Sequence, residues 1–306
     1  MGKTALVFPG QGAQYPGMGK ELYESSEDIM WLYRRISDAV GFDVAEASFG
    51  SLTGRLGTTG VAQPCIFAHS MAGYMKFKEL GGKADAAAGF SLGECTAICA
   101  AGALDLTDAT RMIAARAGTM QKEAEAASGA MYAVMGADEA RLSSLLNQVR
   151  GYVEMVNFNC PGQIVIAGDA DACTEAAALC SENGLKAVRL NVNAAFHSSL
   201  MDKAAVEFGA MLKGMRFKWP GMEVFSNVTG SSMSWSELPE VYFPTQMLSP
   251  VRWQGLVEGM IKAGYDRFIE IGPSKTLSGM IRRISKDVAV VSADKPSDFS
   301  QALSQQ

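Results

Sequence analysis

Histidine is nearly absent: the chain has two in 306 residues. A zinc site draws on clustered His and Cys, and none of the six cysteines falls in a Cys-x-x-Cys pair, so no metal is expected. Aromatic residues are few, at 8%, and no apolar run approaches the ~20 residues that cross a bilayer. Runs of like charge and low-complexity tracts are also missing. The net charge is −5, so a nucleic-acid backbone meets no complementary field and is not an expected partner. Residues 1–12 hold one short apolar stretch, 5–8, well below a secretory h-region. Gly2 suggests a myristoylation site, but Leu6 stands where that motif needs Ser or Thr. These absences predict a cytoplasmic protein with no membrane partner, whose cysteines are buried as small hydrophobes.

What is present is a chain that is 48% hydrophobic and long enough for one large core, or for one domain with a smaller one inserted. Residues 3–8 read as a buried strand, followed by a glycine-rich loop at 10–19. Residues 84–90 read as a second strand running straight into a helix at 92–101. Later strands are expected at 267–271 and 288–291, with helices between, which argues for a parallel sheet covered on both faces. The middle of the chain changes character. Strands at 130–135, 152–156, 164–167 and 186–190 and helices at 137–149 and 170–182 give the order β-α-β-β-α-β, the ferredoxin-like pattern. The expected division is a core from 1–126 and 196–306 with a ferredoxin-like subdomain at 127–195.

Gly89-Phe90-Ser91-Leu92-Gly93 fits G-x-S-x-G. The pattern alone is weak. Its placement between an apolar strand and a small-residue helix is what a nucleophile elbow requires. Small neighbours permit the sharp turn, which lifts the Ser91 hydroxyl out at the strand's carboxyl end. The helix start then offers N–H groups and a positive dipole end to an oxyanion. A serine needs a base, and only His69 and His197 exist. His69 lies in a segment apolar on nearly all sides, which suits a buried structural residue. His197 lies in a polar loop, Asn193-Ala194-Ala195-Phe196-His197-Ser198-Ser199, where catalytic groups usually sit. The loop around Gly10-Gln11-Gly12 is no phosphate loop. Tyr15 replaces a glycine of the dinucleotide fingerprint, and Met18 replaces the Walker lysine. Glycines after a first strand still bring backbone close to a ligand, and Gln11 is placed to give a second oxyanion donor.

Six motifs in order give the chain a family resemblance. They are Phe8-Pro9-Gly10-Gln11-Gly12-Ala13-Gln14, Gly89-Phe90-Ser91-Leu92-Gly93-Glu94, Asn157-Phe158-Asn159-Cys160-Pro161-Gly162-Gln163, Ala195-Phe196-His197-Ser198, Ser249-Pro250-Val251-Arg252-Trp253 and Glu270-Ile271-Gly272-Pro273. Together the chain resembles the malonyl-CoA:acyl carrier protein transacylase family across residues 4–285. The resemblance implies a hydrolase-like α/β core carrying the ferredoxin-like subdomain. It implies Ser91 as the acylated nucleophile, His197 as base, and the backbone N–H groups of Gln11 and Leu92 as oxyanion hole. It implies a backbone carbonyl at Gln246 orienting the histidine, Arg116 binding the malonyl carboxylate, and Phe196 in the form that goes with malonyl selection. Malonyl-CoA and an acyl carrier protein are the implied partners, with no cofactor of the enzyme's own. One departure is plain: Phe90 stands where most members carry histidine.

Arg116 has support from the residues themselves. A helix is expected over 106–126, with Thr107 as N-cap and Ala109, Met112, Ile113 and Met120 on one stripe. Arg116 falls inside that stripe, and a guanidinium on a buried face is costly unless paired. A substrate carboxylate fits its fork, with Met120 alongside as a substrate-binding candidate. The competing reading is an internal pair with a carboxylate such as Glu94. A hydrolase on the same core and a non-catalytic carrier-binding module are the competing functions; intact Ser91, His197 and Arg116 speak against the second. Carriers of this pathway are acidic, so docking calls for a local basic face. Lys275, Arg282, Arg283 and Lys286 lie opposite the apolar stripe of a helix expected at 274–286. A monomer is expected.

Overall fold

The computed structural model describes residues 2–126 and 128–304, so the expected subdomain boundary at 127 and the terminal residues 1, 305 and 306 of the expected core lie outside the described residues. Its strands are β1 (Lys3–Phe8), β2 (Ala86–Gly89), β3 (Gly129–Met135), β4 (Val153–Cys160), β5 (Gln163–Asp169), β6 (Lys186–Arg189), β7 (Glu223–Phe225), β8 (Tyr265–Ile271) and β9 (Ala289–Ala293).

Five strands form one parallel sheet in the order β7-β2-β1-β8-β9. Strand β1 sits at its centre because it is apolar on both faces. Leu6 and Phe8 enter the main core, while Ala5 and Val7 face a second cluster with Trp253, Leu256 and Phe268. Parallel strands need helical crossovers, and these bury both sheet faces. The helix Thr59–Glu79 is buried along most of its length, as the apolar run around His69 led us to expect. This is the α/β core, and it holds the elbow at the carboxyl end of β2.

The second sheet is antiparallel, in the order β4-β5-β3-β6, with the helices Glu139–Leu146 and Ala170–Glu182 over one face. Val134, Ile164, Ile166, Leu142, Ala176 and Cys180 pack between sheet and helices. Met131, Val156, Val165 and Ala167 face the main core instead. This is the ferredoxin-like order expected between the two halves of the core. A backbone ladder also ties the units together: Phe158 N donates to Val251 O at 2.9 Å, and Val251 N to Val156 O at 2.8 Å.

Two local expectations are corrected and one element is added. The helix expected at 137–149 is shorter, Glu139–Leu146: Asp138 caps its start by accepting from Arg141 N at 2.8 Å, and past its end Gln148 N and Val149 N close turns on Leu145 O and Leu146 O. Thr107 is not the N-cap of the helix Leu106–Ala126. Asp105 accepts from Asp108 N at 3.0 Å, and Thr107 Oγ1 instead takes Arg35 Nη2 at 2.9 Å. Strand β7 was not foreseen: three residues are too few to show a period.

Candidate active site

The turn at Ser91 is strained backbone, with φ 53° and ψ −106°. It is permitted by two glycines. A Cβ at Gly89 would lie 1.8 Å from the Gly93 carbonyl carbon, and one at Gly93 would lie 2.0 Å from Phe8 O. Strand and helix cross here at a distance only glycine allows. Asn227 pins the turn: its Oδ1 accepts from Ser91 N and its Nδ2 donates to Gly89 O, both at 2.6 Å.

His197 reaches the serine from the loop after the second sheet, itself at φ 64° and 3% exposed. Its Nε2 lies 2.7 Å from Ser91 Oγ. Its Nδ1 lies 3.2 Å from Gln246 O and 3.0 Å from Ser249 O. Carbonyls only accept, so Nδ1 carries the proton, and Nε2 of the neutral ring is left to accept from the Ser91 hydroxyl. The Gln246 carbonyl is therefore joined by that of Ser249, which sequence reasoning did not name. Burial first, and the Arg116 charge second, push the His197 pKa down to about 4, which keeps the ring neutral. His69 is spoken for elsewhere: it is fully buried, with Nε2 2.9 Å from Asp294 O and 3.1 Å from its carboxylate.

Arg116 is 1% exposed and enters none of the ion pairs among the described residues. Its Nη1 donates to Gln63 Oε1 at 2.8 Å. Its Nη2 donates to Ser91 Oγ at 3.1 Å and to Gln246 Oε1 at 3.5 Å. Among the described residues its Nε–H has no partner. The internal pair with Glu94 is thus not formed, although the Glu94 charge is felt at Arg116. Burial pushes the Glu94 pKa up to about 7, against donors from Tyr242, Gln246 and Asn227 and against the Arg116 charge.

A cavity of about 380 Å³ lies between the core and the second sheet. Gln11, Ser91, Arg116, Met120, Phe196 and His197 all line it, with Met131, Asn157 and Leu190 on the opposing wall. Leu92 and Gln246 stand behind the lining, each fully or almost fully buried. The N–H groups of Gln11 and Leu92 make no loop or side-chain hydrogen bond among the described residues. Phe90 is half-buried and stands edge-on to Trp253 at 5.8 Å between ring centres, so the position is filled by packing rather than by a polar contact. Such a site can activate a hydroxyl, hold an anion beside it and cradle a carbonyl oxygen.

The helix expected at 274–286 is Thr276–Ile284, and Lys275, Arg282, Arg283 and Lys286 are all exposed on it or beside it. Its buried side lines a smaller cavity, about 200 Å³, that shares Gln11, Phe90, Asn157 and Leu190 with the first. Two of its cations are engaged: Arg282 Nη2 donates to Val290 O at 2.8 Å and Arg283 Nη2 to Pro161 O at 2.9 Å. Sequence reasoning missed Gln63 and Asn227, which no local pattern flags. It named Glu94 only as a rival partner for Arg116. Among the described residues no cluster of ligand side chains could hold a metal, and no helix is long and apolar enough to cross a membrane.

Comparison with known proteins gives one consistent result. The family model described as acyl transferase domain matches residues 5–296. The chain is 36% identical over 307 aligned positions to the malonyl CoA-acyl carrier protein transacylase of Bacillus subtilis (strain 168), covering 99% of this chain and 97% of that one. The crystal structure of the transacylase of the same name from Clostridium perfringens superposes with a TM-score of 0.93 at 34% identity, covering 99% and 96% of the two chains. A malonyl-transacylase solved in complex with a type II PKS acyl-carrier protein superposes with a TM-score of 0.94 at 32% identity, covering 99% and 100%.

Proposed function

The chain belongs to the acyl transferase domain family, among the malonyl CoA-acyl carrier protein transacylases, and from that membership we propose how its own residues perform the transfer. The enzyme moves a malonyl group from malonyl-CoA to the phosphopantetheine thiol of an acyl carrier protein, for fatty-acid or polyketide synthesis. Ser91 Oγ attacks the thioester carbonyl while His197 Nε2 takes its proton. The amides of Gln11 and Leu92 receive the oxyanion. The tetrahedral adduct collapses with loss of the C–S bond, and the imidazolium returns the proton to the departing CoA sulfur. The carrier thiol then attacks the malonyl-serine by the same steps in reverse. The scheme needs no cofactor of the enzyme's own, since CoA arrives and leaves as substrate.

The observation that carries the malonyl assignment is Arg116: a buried guanidinium with no carboxylate partner among the described residues and an unpartnered Nε–H, its Nη2 3.1 Å from Ser91 Oγ. A charge so placed is stabilised by an anion the protein does not supply. Phe196 and Met120 close the walls beside it. We further assign 1–126 and 196–306 to the transferase core and 127–195 to the subdomain that covers it, in a monomer acting in the cytoplasm. The exposed cations at Lys275, Arg282, Arg283 and Lys286 are the proposed carrier-docking face. Intact-protein mass spectrometry after exposure to malonyl-CoA tests the scheme. A malonyl adduct on the Ser91 peptide, discharged by carrier protein to malonyl-carrier, is the expected result. Discharge only to free malonate would make the protein a hydrolase.

A further inference from the structure

Glu94 stands on the first turn of the helix that follows the nucleophile and is fully buried. Its Oε1 accepts from the Tyr242 hydroxyl and from Asn227 N at 3.3 Å, and its Oε2 accepts from Gln246 Nε2 at 2.9 Å. Gln246 is the node of the site. Its Nε2 also donates to Ser91 O at 2.9 Å, its Oε1 receives Arg116 Nη2 at 3.5 Å, and its backbone carbonyl receives His197 Nδ1 at 3.2 Å. An amide has two ends of opposite character. Turned over, it would set an oxygen against the Glu94 carboxylate and an NH₂ against the Arg116 cation. Donors meet both Glu94 oxygens, so the carboxyl accepts at each in its ionised form, and that form selects one orientation of the amide.

We propose that Glu94 is a positioning residue whose carboxylate fixes Gln246, and through Gln246 the placement of His197 and Arg116 around Ser91 Oγ. The proposal rests on reading Ser91 and His197 as the reacting pair. The substitution Glu94→Gln keeps the shape but turns one acceptor oxygen into an NH₂, so the side chain can no longer accept from both Gln246 Nε2 and Asn227 N.

The experiment is single-turnover malonylation at saturating and half-saturating malonyl-CoA, with the adduct mapped by peptide mass spectrometry and the fold checked by thermal melting. E94Q is expected to slow the saturated acylation by about 10- to 100-fold, the scale of a small misplacement of reacting groups. Tyr242→Phe removes a donor to Glu94 but leaves Gln246 held, and is expected to stay within about 3-fold of the parent, the size of one modest hydrogen bond. The distinguishing readout is a double-mutant cycle. In a Gln246→Ala background the Glu94→Gln effect should shrink to about 2-fold or less, because its route is gone. A carboxylate that merely supports the fold would act equally in both backgrounds, and that result overturns the proposal. So does acylation of E94Q at the parent rate. Should E94Q not fold, Glu94→Asp keeps the charge but withdraws it from Gln246 by one methylene. That variant must also acylate slowly, and parent-rate acylation by it overturns the proposal. If the parent's adduct maps to a residue other than Ser91, the reading of the dyad itself fails. If it maps to Ser91 while E94Q is as fast as the parent, only this inference falls.

Discussion

Replacing Arg116 by alanine separates what the guanidinium does for the substrate from what it does for the nucleophile. It makes two kinds of contact. The Nε–H has no partner among the described residues and is assigned to the carboxylate, while Nη2 donates to Ser91 Oγ at 3.1 Å. Truncating one partner of a buried ion pair costs about 3–5 kcal/mol, so malonyl-CoA should lose on the order of 100- to 5,000-fold in kcat/KM. The hydrogen bond to Ser91 is shared by every acyl substrate, and its loss costs about 1.5–3 kcal/mol for any of them. Absolute rates therefore fall for acetyl-CoA too, and only the ratio isolates the carboxylate. Acetyl-CoA gains in return, because its methyl group no longer meets a buried, unneutralised cation. The malonyl-to-acetyl ratio of kcat/KM should move toward acetyl by about 100-fold or more. The assay is initial-rate transfer from each thioester, with Arg116→Met as a control that restores apolar volume without charge. If both substrates slow equally, Arg116 serves the serine alone and the malonyl assignment loses its physical basis.

The remaining predictions concern the groups around it. Ser91→Ala should carry no malonyl adduct, and an adduct that persists on the intact variant refutes the nucleophile. His197→Ala should slow acylation by about 100- to 10,000-fold; an unchanged pre-steady-state rate would move the base elsewhere. Asn227→Ala strips the partner from Ser91 N, and an unmet buried polar group costs about 1–3 kcal/mol, so the variant should melt earlier and acylate more slowly. A melting temperature equal to the parent's would mean the strained turn needs no clasp. Lys275→Glu with Lys286→Glu should raise KM for the carrier protein at low salt and leave exchange with malonyl-CoA alone unchanged. These two are better probes than Arg282 or Arg283, whose charge reversal also breaks contacts to Val290 and Pro161. An unaltered carrier KM at low ionic strength retires this face.

The elements were legible where one physical signal dominated. Strand β1 is apolar and buried from Ala5 to Phe8, so its bounds, Lys3–Phe8, are those expected. The helix Ala170–Glu182 likewise ran as expected. The elbow was legible because steric crowding admits only glycine at 89 and 93. What escaped was set by distance in the chain rather than by pattern. Asn227 meets Ser91 across 136 positions and Gln63 meets Arg116 across 53, and no periodicity encodes either meeting. Thr107 was misread because Thr and Asp both suit an N-cap, and the choice turned on whether the helix began at Leu106 or two residues later.

A tension in the site has an electrostatic resolution. A base with a pKa near 4 is always in its acceptor form at neutral pH, but it is a weak proton acceptor. Burial is the larger cause of that depression and stays when substrate binds. The Arg116 charge is the second cause, and a malonyl carboxylate at Arg116 offsets it. His197 should therefore be a stronger base in the malonyl complex than in the free enzyme, and acetyl-CoA, which brings no charge, should leave it as it was. The sign follows from the protonation states. Acylation is lost as pH falls through the His197 pKa, since the protonated ring cannot accept the Ser91 proton. kcat/KM should fall partway as Glu94 protonates near 7, and the remaining acid limb, which reports His197 of the free enzyme, should lie well below the usual 6.5 of histidine, toward 4. The acid limb of the saturated acylation rate should lie higher than that for malonyl-CoA and coincide with it for acetyl-CoA. Stopped-flow acylation across a pH range that brackets the depressed value of about 4 and the ordinary 6.5 reads both limbs. A saturated limb at the same pH for the two substrates would mean that the carboxylate does not neutralise Arg116, and that one cation does not serve both selection and base strength.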